Sequence, residues 1–307
     1  MNLLVTGASG FIGRNLIRAL SADWNVTATY CRSDSFPEFV ERTGNRHIHP
    51  LRIDLAQPGA ADLLQSSSKS FDACVFLAAN GDPARSVADP AFDLVSNTLS
   101  LLHVVEKLKF RRFLYFSSGA VYDGLTGAVS PERAVAPLLP YAISKFASER
   151  YLAHFQRNLA IDDLFILRFF GAYGPFEPER KIYNRLVRQF AFERNPRFTI
   201  RGNGRNLIDA MYIDDAVRAI LALLSTSSRG CTFDCGSGAP VSLTTLVETA
   251  ADVFGLKAEI DYTGAVPEYI EFYSVDSTMR SQYHFTSSVD LGEGLRKFAE
   301  FLRSRAG

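Results

Sequence analysis

The 307 residues predict an α/β fold, a doubly wound parallel sheet that carries a smaller C-terminal α/β lobe. Three observations support this. Short β-branched or apolar runs alternate with longer amphipathic stretches over the first two-thirds of the chain. The runs are almost continuously apolar, as parallel strands buried on both faces must be. After about residue 170 the rhythm gives way to glycine- and proline-rich turns such as GAYGPFEPER and RGNGRN.

Taken in order, strands are expected at 2–6 (NLLVT), 25–30 (NVTATY), 46–54 (RHIHPLRID), 72–79 (DACVFLAA), 112–118 (RFLYFSS) and 164–170 (LFILRFF). Helical periodicity marks 11–21, 89–108 and 140–157 between them, and 212–225 and 242–255 later. CTFDC at 231–235 alternates as a strand does. The natural division is 1–170 for the sheet domain and 171–307 mainly for the second lobe, with some later segments returning to the sheet.

Composition excludes several classes. The 33 basic and 33 acidic side chains balance and no basic block stands out, so nucleic acid and anionic membrane are not expected partners. No apolar run reaches the ~18–20 residues of a membrane span. MNLLVTG enters the first strand directly, without a basic leader, which points to the cytoplasm. Cys31, Cys74, Cys231 and Cys235 match neither a zinc site nor a disulfide framework, and the five histidines form no ligand pair. No metal is expected.

The first strand runs into TGASGFIG, with Gly7, Gly10 and Gly13. The first glycine permits a tight strand-to-helix turn, the second lets backbone approach a pyrophosphate, and the third packs helix on strand. The helix N-terminus then offers free N–H groups to phosphate. This makes the sheet Rossmann-type. Ser9, Phe11 and Ile12 complete the expected dinucleotide turn, and Leu77, Ala78 and Ala79 at the end of the fourth strand are further expected cofactor contacts. No acid ends the second strand to bind the ribose hydroxyl of NAD; Arg32 and Ser33 stand there instead, which favours NADP over NAD. Asp54, followed by Leu55, is placed either to meet the adenine amino group or to cap a turn.

Residues 140–145 read PYAISK, and helical spacing puts Tyr141 and Lys145 on one face, a turn apart. A free phenol with pKa of about 10 is a poor base. An adjacent ammonium would lower it toward neutrality.

With TGASGFIG, VFLAA at 75–79, Asn97, FSSGAVYDG at 116–124, YAISK at 141–145, LRFFGAYGP at 167–175, MYIDDAV at 211–217 and SLTTL at 242–246, the chain resembles the extended short-chain dehydrogenase/reductase family of NAD(P)-dependent nucleotide-sugar epimerases, dehydratases and ketoreductases. The resemblance implies a catalytic Ser118–Tyr141–Lys145 set, with Ser117 as a rival for the serine. Ser118 would bond the substrate oxygen, Tyr141 would serve as acid/base, and Lys145 would hold the nicotinamide ribose. It also implies a homodimer formed through the helices at 89–108 and 140–157, with Leu101, Val105 and Phe155 as candidate interface residues.

Departures from the family pattern narrow the reaction. The acid pair of the family's 4,6-dehydratases falls on Gly119 and Ala120, so hydride chemistry at a sugar carbon, expected to be C4, is favoured over loss of water. Ile208 replaces a phosphate-binding arginine, and Gly171 replaces a frequent asparagine. Arg180, Arg201 and Arg205 are the substitute candidates for a diphosphate, with Arg85 and Ser86 as further substrate contacts. Epimerisation and ketone reduction both remain open. So do a reductase or dehydrogenase of a non-nucleotide substrate and a non-catalytic dinucleotide sensor.

Overall fold

Period-two burial organises the molecule. In a computed structural model that describes residues 1–68, 70–158, 160–264 and 270–306, seven parallel strands form one sheet. They are β1 (Asn2–Thr6), β2 (Asn25–Tyr30), β3 (Ile48–Arg52), β4 (Phe71–Phe76), β5 (Phe110–Ser118), β6 (Ile161–Phe169) and β7 (Thr232–Cys235), in the order β7-β6-β5-β4-β1-β2-β3. Leu3 and Val5, Ala73 and Val75, Leu114 and Phe116, and Phe165 and Leu167 enter one core; Leu4, Cys74, Phe76, Phe113, Tyr115, Leu164 and Ile166 enter the other. Alternate side chains thus feed opposite faces, and both faces are covered.

The six strands expected early in the chain all form, with shifted ends, and CTFDC supplies the seventh at the sheet edge beside β6. Four two-stranded pairs accompany the sheet: Arg197–Arg201 with Glu259–Thr263, Leu207–Ile208 with Val241–Ser242, Ala172–Tyr173 with Met211–Tyr212, and Thr126–Val129 with Glu271–Ser274. Residues after 170 share the first core, where Tyr173, Phe198, Leu246 and Phe298 pack with Leu3 and Leu16.

The helix expected over 89–108 has three parts: Pro90–Leu94, a π-type turn at Val95–Leu99, and Ser100–Val105. The wider turn brings Asn97 and Thr98 together against Ser144 and Ser148 of the helix Pro140–Arg157, whose span matches expectation. The interface residues expected on these helices are reassigned. Leu101 and Val105 are buried in the second core and Phe155 packs against it. The exposed apolar side chains are instead Leu94, Val95 and Leu99 on the first element and Ile143 and Tyr151 on the second. Among the described residues no helix is long and apolar enough to cross a membrane.

Candidate active site

The turn after β1 is built around absent side chains. Gly7 has φ of 63°, and a Cβ there would lie 2.8 Å from the Ala78 nitrogen. A Cβ on Gly13 would lie 2.6 Å from Ala8. These two contacts press the turn onto the loop after β4 and the helix Phe11–Ala19 onto the turn. Thr6 seals the junction, its Oγ1 accepting from the Leu77 and Ala78 nitrogens at 3.0 and 3.1 Å. Gly10 caps the helix without any side-chain hydrogen bond, which leaves first-turn N–H groups for a phosphate. A cradle that closes to Cβ and opens to backbone suits a dinucleotide pyrophosphate, with Ser9, Phe11 and Ile12 around its rim.

At the end of β2 a residue missed in the sequence becomes visible. Arg14 crosses from the helix to donate to the Ser33 Oγ at 2.9 Å and the Ser9 carbonyl at 2.9 Å, and stacks 4.6 Å over the Phe39 ring. Arg32 is exposed and leans over Phe92 at 5.7 Å. Asp34 pairs with Arg52 at 2.9 Å. Asp54 takes the turn-capping alternative: it is exposed and accepts from the Ala56 nitrogen at 3.1 Å. Leu55 places its side chain in the core, so it offers no side-chain surface to a cofactor.

Ser118, Tyr141 and Lys145 converge. β5 ends at Ser118, and the helix Pro140–Arg157 presents the other two from its first two turns. The Ser118 Oγ accepts from the Ala120 nitrogen at 3.1 Å. Lys145 is buried, and its Nζ donates to the Phe116 carbonyl at 2.8 Å. Burial pulls this ammonium down to about 8, with Asp93 and then Glu149 pulling it up. Burial likewise pushes the Tyr141 phenol above its ordinary value, against a lowering by the nearby Ser118 hydroxyl and with Asp93 adding to the rise. Burial, and not Lys145, sets the direction for this phenol, and the ammonium bonds a main-chain carbonyl.

The two serines separate cleanly. Ser117 is buried and its hydroxyl donates to a Glu149 carboxylate oxygen, behind the site. That leaves Ser118 beside the phenol.

Several expected substrate residues have other partners. Ser86 is fully buried and is not a substrate contact: its Oγ accepts from the Tyr141 nitrogen at 3.1 Å, fixing the start of that helix. Arg85 stacks 3.5 Å over Phe92, Arg180 pairs with Asp82 at 3.2 Å, and Arg205 pairs with Glu271 at 3.4 Å. Arg201 is exposed at the end of a strand whose Phe198 and Ile200 are buried in the first core. Ile208 is partly buried, packed against the first core beside Val241, and offers no charge to a phosphate. Gly171 has φ of 138°, a backbone setting that disfavours asparagine.

Comparison with known proteins gives the same constellation a context. A UDP-glucose 4-epimerase of Mycolicibacterium smegmatis is 28% identical over 315 residues, covering 100% of both chains. A dTDP-glucose 4,6-dehydratase of Streptomyces niveus is 27% identical over 323 residues, covering 99% of this chain and 93% of its own. A mutant UDP-glucuronic acid 4-epimerase from Bacillus cereus, solved with UDP-4-deoxy-4-fluoro-glucuronic acid and NAD, superposes with a TM-score of 0.88 at 26% identity, covering 99% of this chain and 100% of its own. The family profile itself spans residues 3–236, from β1 through β7, and so takes in both the glycine cradle and the Ser–Tyr–Lys cluster. The chain belongs to the NAD dependent epimerase/dehydratase family.

Proposed function

We propose that this enzyme is a nucleotide-sugar 4-epimerase. The observation that carries the reading is the convergence of Ser118, Tyr141 and Lys145 with no carboxylate at Gly119 or Ala120. The 4-epimerase names among its relatives and solved neighbours support it. A dinucleotide held at Gly7–Gly13 supplies hydride acceptance and return, and the chain's own residues handle the proton. Tyr141 takes the proton of the sugar hydroxyl as the carbinol is oxidised and gives it back on re-reduction. Ser118 holds that oxygen in place. Lys145, as an ammonium, supports the phenolate form of Tyr141 at the moment of transfer.

Tyr141→Phe tests this directly. Turnover of UDP-sugars should fall by roughly 10²- to 10⁴-fold while dinucleotide binding persists; an active variant refutes the assignment.

The cofactor end favours NADP over NAD. Arg32 and Ser33, with Arg14 held against Ser33, offer cations and a hydroxyl where a selective acid would otherwise stand. The solved neighbour holds NAD. Titration with both dinucleotides decides, and tighter binding of NAD removes the preference.

A second reading, a reductase or dehydrogenase of a non-nucleotide substrate, rests on the apolar seat of Ile208 and the pairing of Arg180 and Arg205 with acids. Thermal shifts with UDP, GDP, CDP and TDP separate the two, since only the first reading predicts stabilisation by one of them. A non-catalytic sensor would not need the intact Tyr141–Lys145 pair.

A further inference from the structure

Asp93 lies on the short helix Pro90–Leu94 and has no part in the chemistry above, yet its carboxylate is fully buried. Three side chains donate to it. Asn80 Nδ2 and Asn97 Nδ2 reach Oδ1 at 2.7 and 3.0 Å, and Ser144 Oγ reaches Oδ2 at 2.6 Å. The ring closes on itself: the Asn80 nitrogen donates to Asn97 Oδ1 at 2.7 Å, and Asn97 Nδ2 also donates to Ser144 Oγ at 2.9 Å. Ser144 stands between Tyr141 and Lys145 in the same helical turn. One carboxylate thereby ties the loop after β4, the π-type turn at Asn97, and the turn that carries the Tyr–Lys pair.

A buried ionised carboxylate is costly unless donors and a cation accompany it. Its three side-chain partners are neutral, so the hydrogen bonds alone leave the charge uncompensated. Lys145 is surrounded as follows. The Phe116 carbonyl accepts from it and the Tyr115 ring lies 5.1 Å away, both from β5. Tyr141 and Glu149 share its helix, and Glu149 is bound two-fold by Arg168 of β6. Asp93, on the helix Pro90–Leu94, is bonded at 2.6 Å to Ser144, the residue before Lys145, and is the second carboxylate to act on the ammonium. Of the two carboxylates, Glu149 already has its own cation. Among the described residues no ion pair within 4 Å involves Asp93.

We propose that Asp93 is a positioning residue for the Tyr141–Lys145 pair: it moors the Ser144 turn to the β4 loop and supplies the buried negative charge that keeps Lys145 an ammonium. It touches neither substrate nor cofactor. The proposal rests on the role given to Lys145 above. The direction of its titration agrees, since Asp93 is the larger of the two influences that oppose the effect of burial on Lys145.

The test follows Lys145 by ¹³C NMR of its ε-carbon, assigned with Lys145→Arg. Asp93→Asn should lower its proton affinity roughly tenfold or more and carry the alkaline limb of the turnover profile the same way. Ser144→Ala, which loosens the mooring but keeps the charge, should lower turnover and leave the Lys145 titration in place. An unchanged Lys145 titration in folded Asp93→Asn overturns the proposal. Should Asp93→Asn fail to fold, the wild-type Asp93 carboxyl carbon gives the answer instead. It should respond at the Lys145 midpoint, and that response should vanish in Lys145→Met; no response overturns the proposal equally. Neither NMR readout depends on turnover, so a wrong substrate would show in the Tyr141→Phe assay and leave this coupling intact.

Discussion

Arg168 grips Glu149 at two points, Nε to Oε1 at 3.2 Å and Nη2 to Oε2 at 2.9 Å, with both side chains 5% exposed. The bonds continue across the strand ends: Arg168 Nη1 donates to the Tyr122 hydroxyl at 3.0 Å, which donates to Asp234 at 2.7 Å. Removing one partner strands a buried charge. Arg168→Met or Glu149→Gln should each cost about 3–5 kcal/mol in urea unfolding, and Arg168→Met with Glu149→Leu should recover much of that. A double variant as unstable as the sum of the singles contradicts this account.

The two neighbouring serines should fail differently. Ser118→Ala should lower turnover roughly 10²-fold at unchanged stability. Ser117→Ala removes a donor from the buried Glu149 carboxylate and should cost about 1–2 kcal/mol of stability with turnover at working temperature close to wild type. Paired melting and rate measurements distinguish them, and reversed phenotypes would reassign the active-site serine.

Glu177 gives a pH signature. Burial pushes its carboxyl up to about 8, although the Asn184 nitrogen donates to it at 2.8 Å and Lys181 opposes the shift. A folded pKa above the unfolded one means the native state binds the extra proton. Its contribution is complete below about 4.3 and is lost as pH rises through about 8. Relative to wild type, Glu177→Gln should therefore gain stability between pH 5 and pH 9, on the order of 4 kcal/mol. Parallel melts that do not diverge with pH rule it out.

Leu94, Val95, Leu99, Ile143 and Tyr151 are exposed apolar side chains on elements that pack together, and we propose that a second copy covers them. Leu99→Glu with Ile143→Lys should convert a dimer to a monomer in light scattering behind size exclusion. A wild-type monomer at micromolar concentration defeats the proposal.

What the sequence disclosed was local. The glycine turn, the Tyr–Lys spacing and the strand periodicities are each set within a few residues, and the sheet strands and the helix Pro140–Arg157 appear where those patterns put them. The hidden parts join distant segments. Arg14 meets Ser33 across 19 residues, Arg168 meets Glu149 across 19, and Asp93 meets Ser144 across 51. No periodicity reports such contacts. The direction each helix faces was also illegible, because Leu101 and Val105 look the same whether a sheet or another subunit covers them. The helices Phe36–Thr43 and Ala60–Ser67 were missed because eight residues give too short a pattern.

Gly119 carries one last consequence. A Cβ placed there would stand 3.2 Å from the Phe170 ring, and that ring packs against both Tyr122 and Phe272. A side chain at this position would press on the Phe170 ring, which must give by a few tenths of an ångström to admit it. An acid there would push on Phe170, just beyond β6, and through it on Tyr122 and on Phe272 of the segment Glu271–Ser274. A lone Gly119→Asp substitution should therefore disturb this aromatic cluster and show first in the melting temperature.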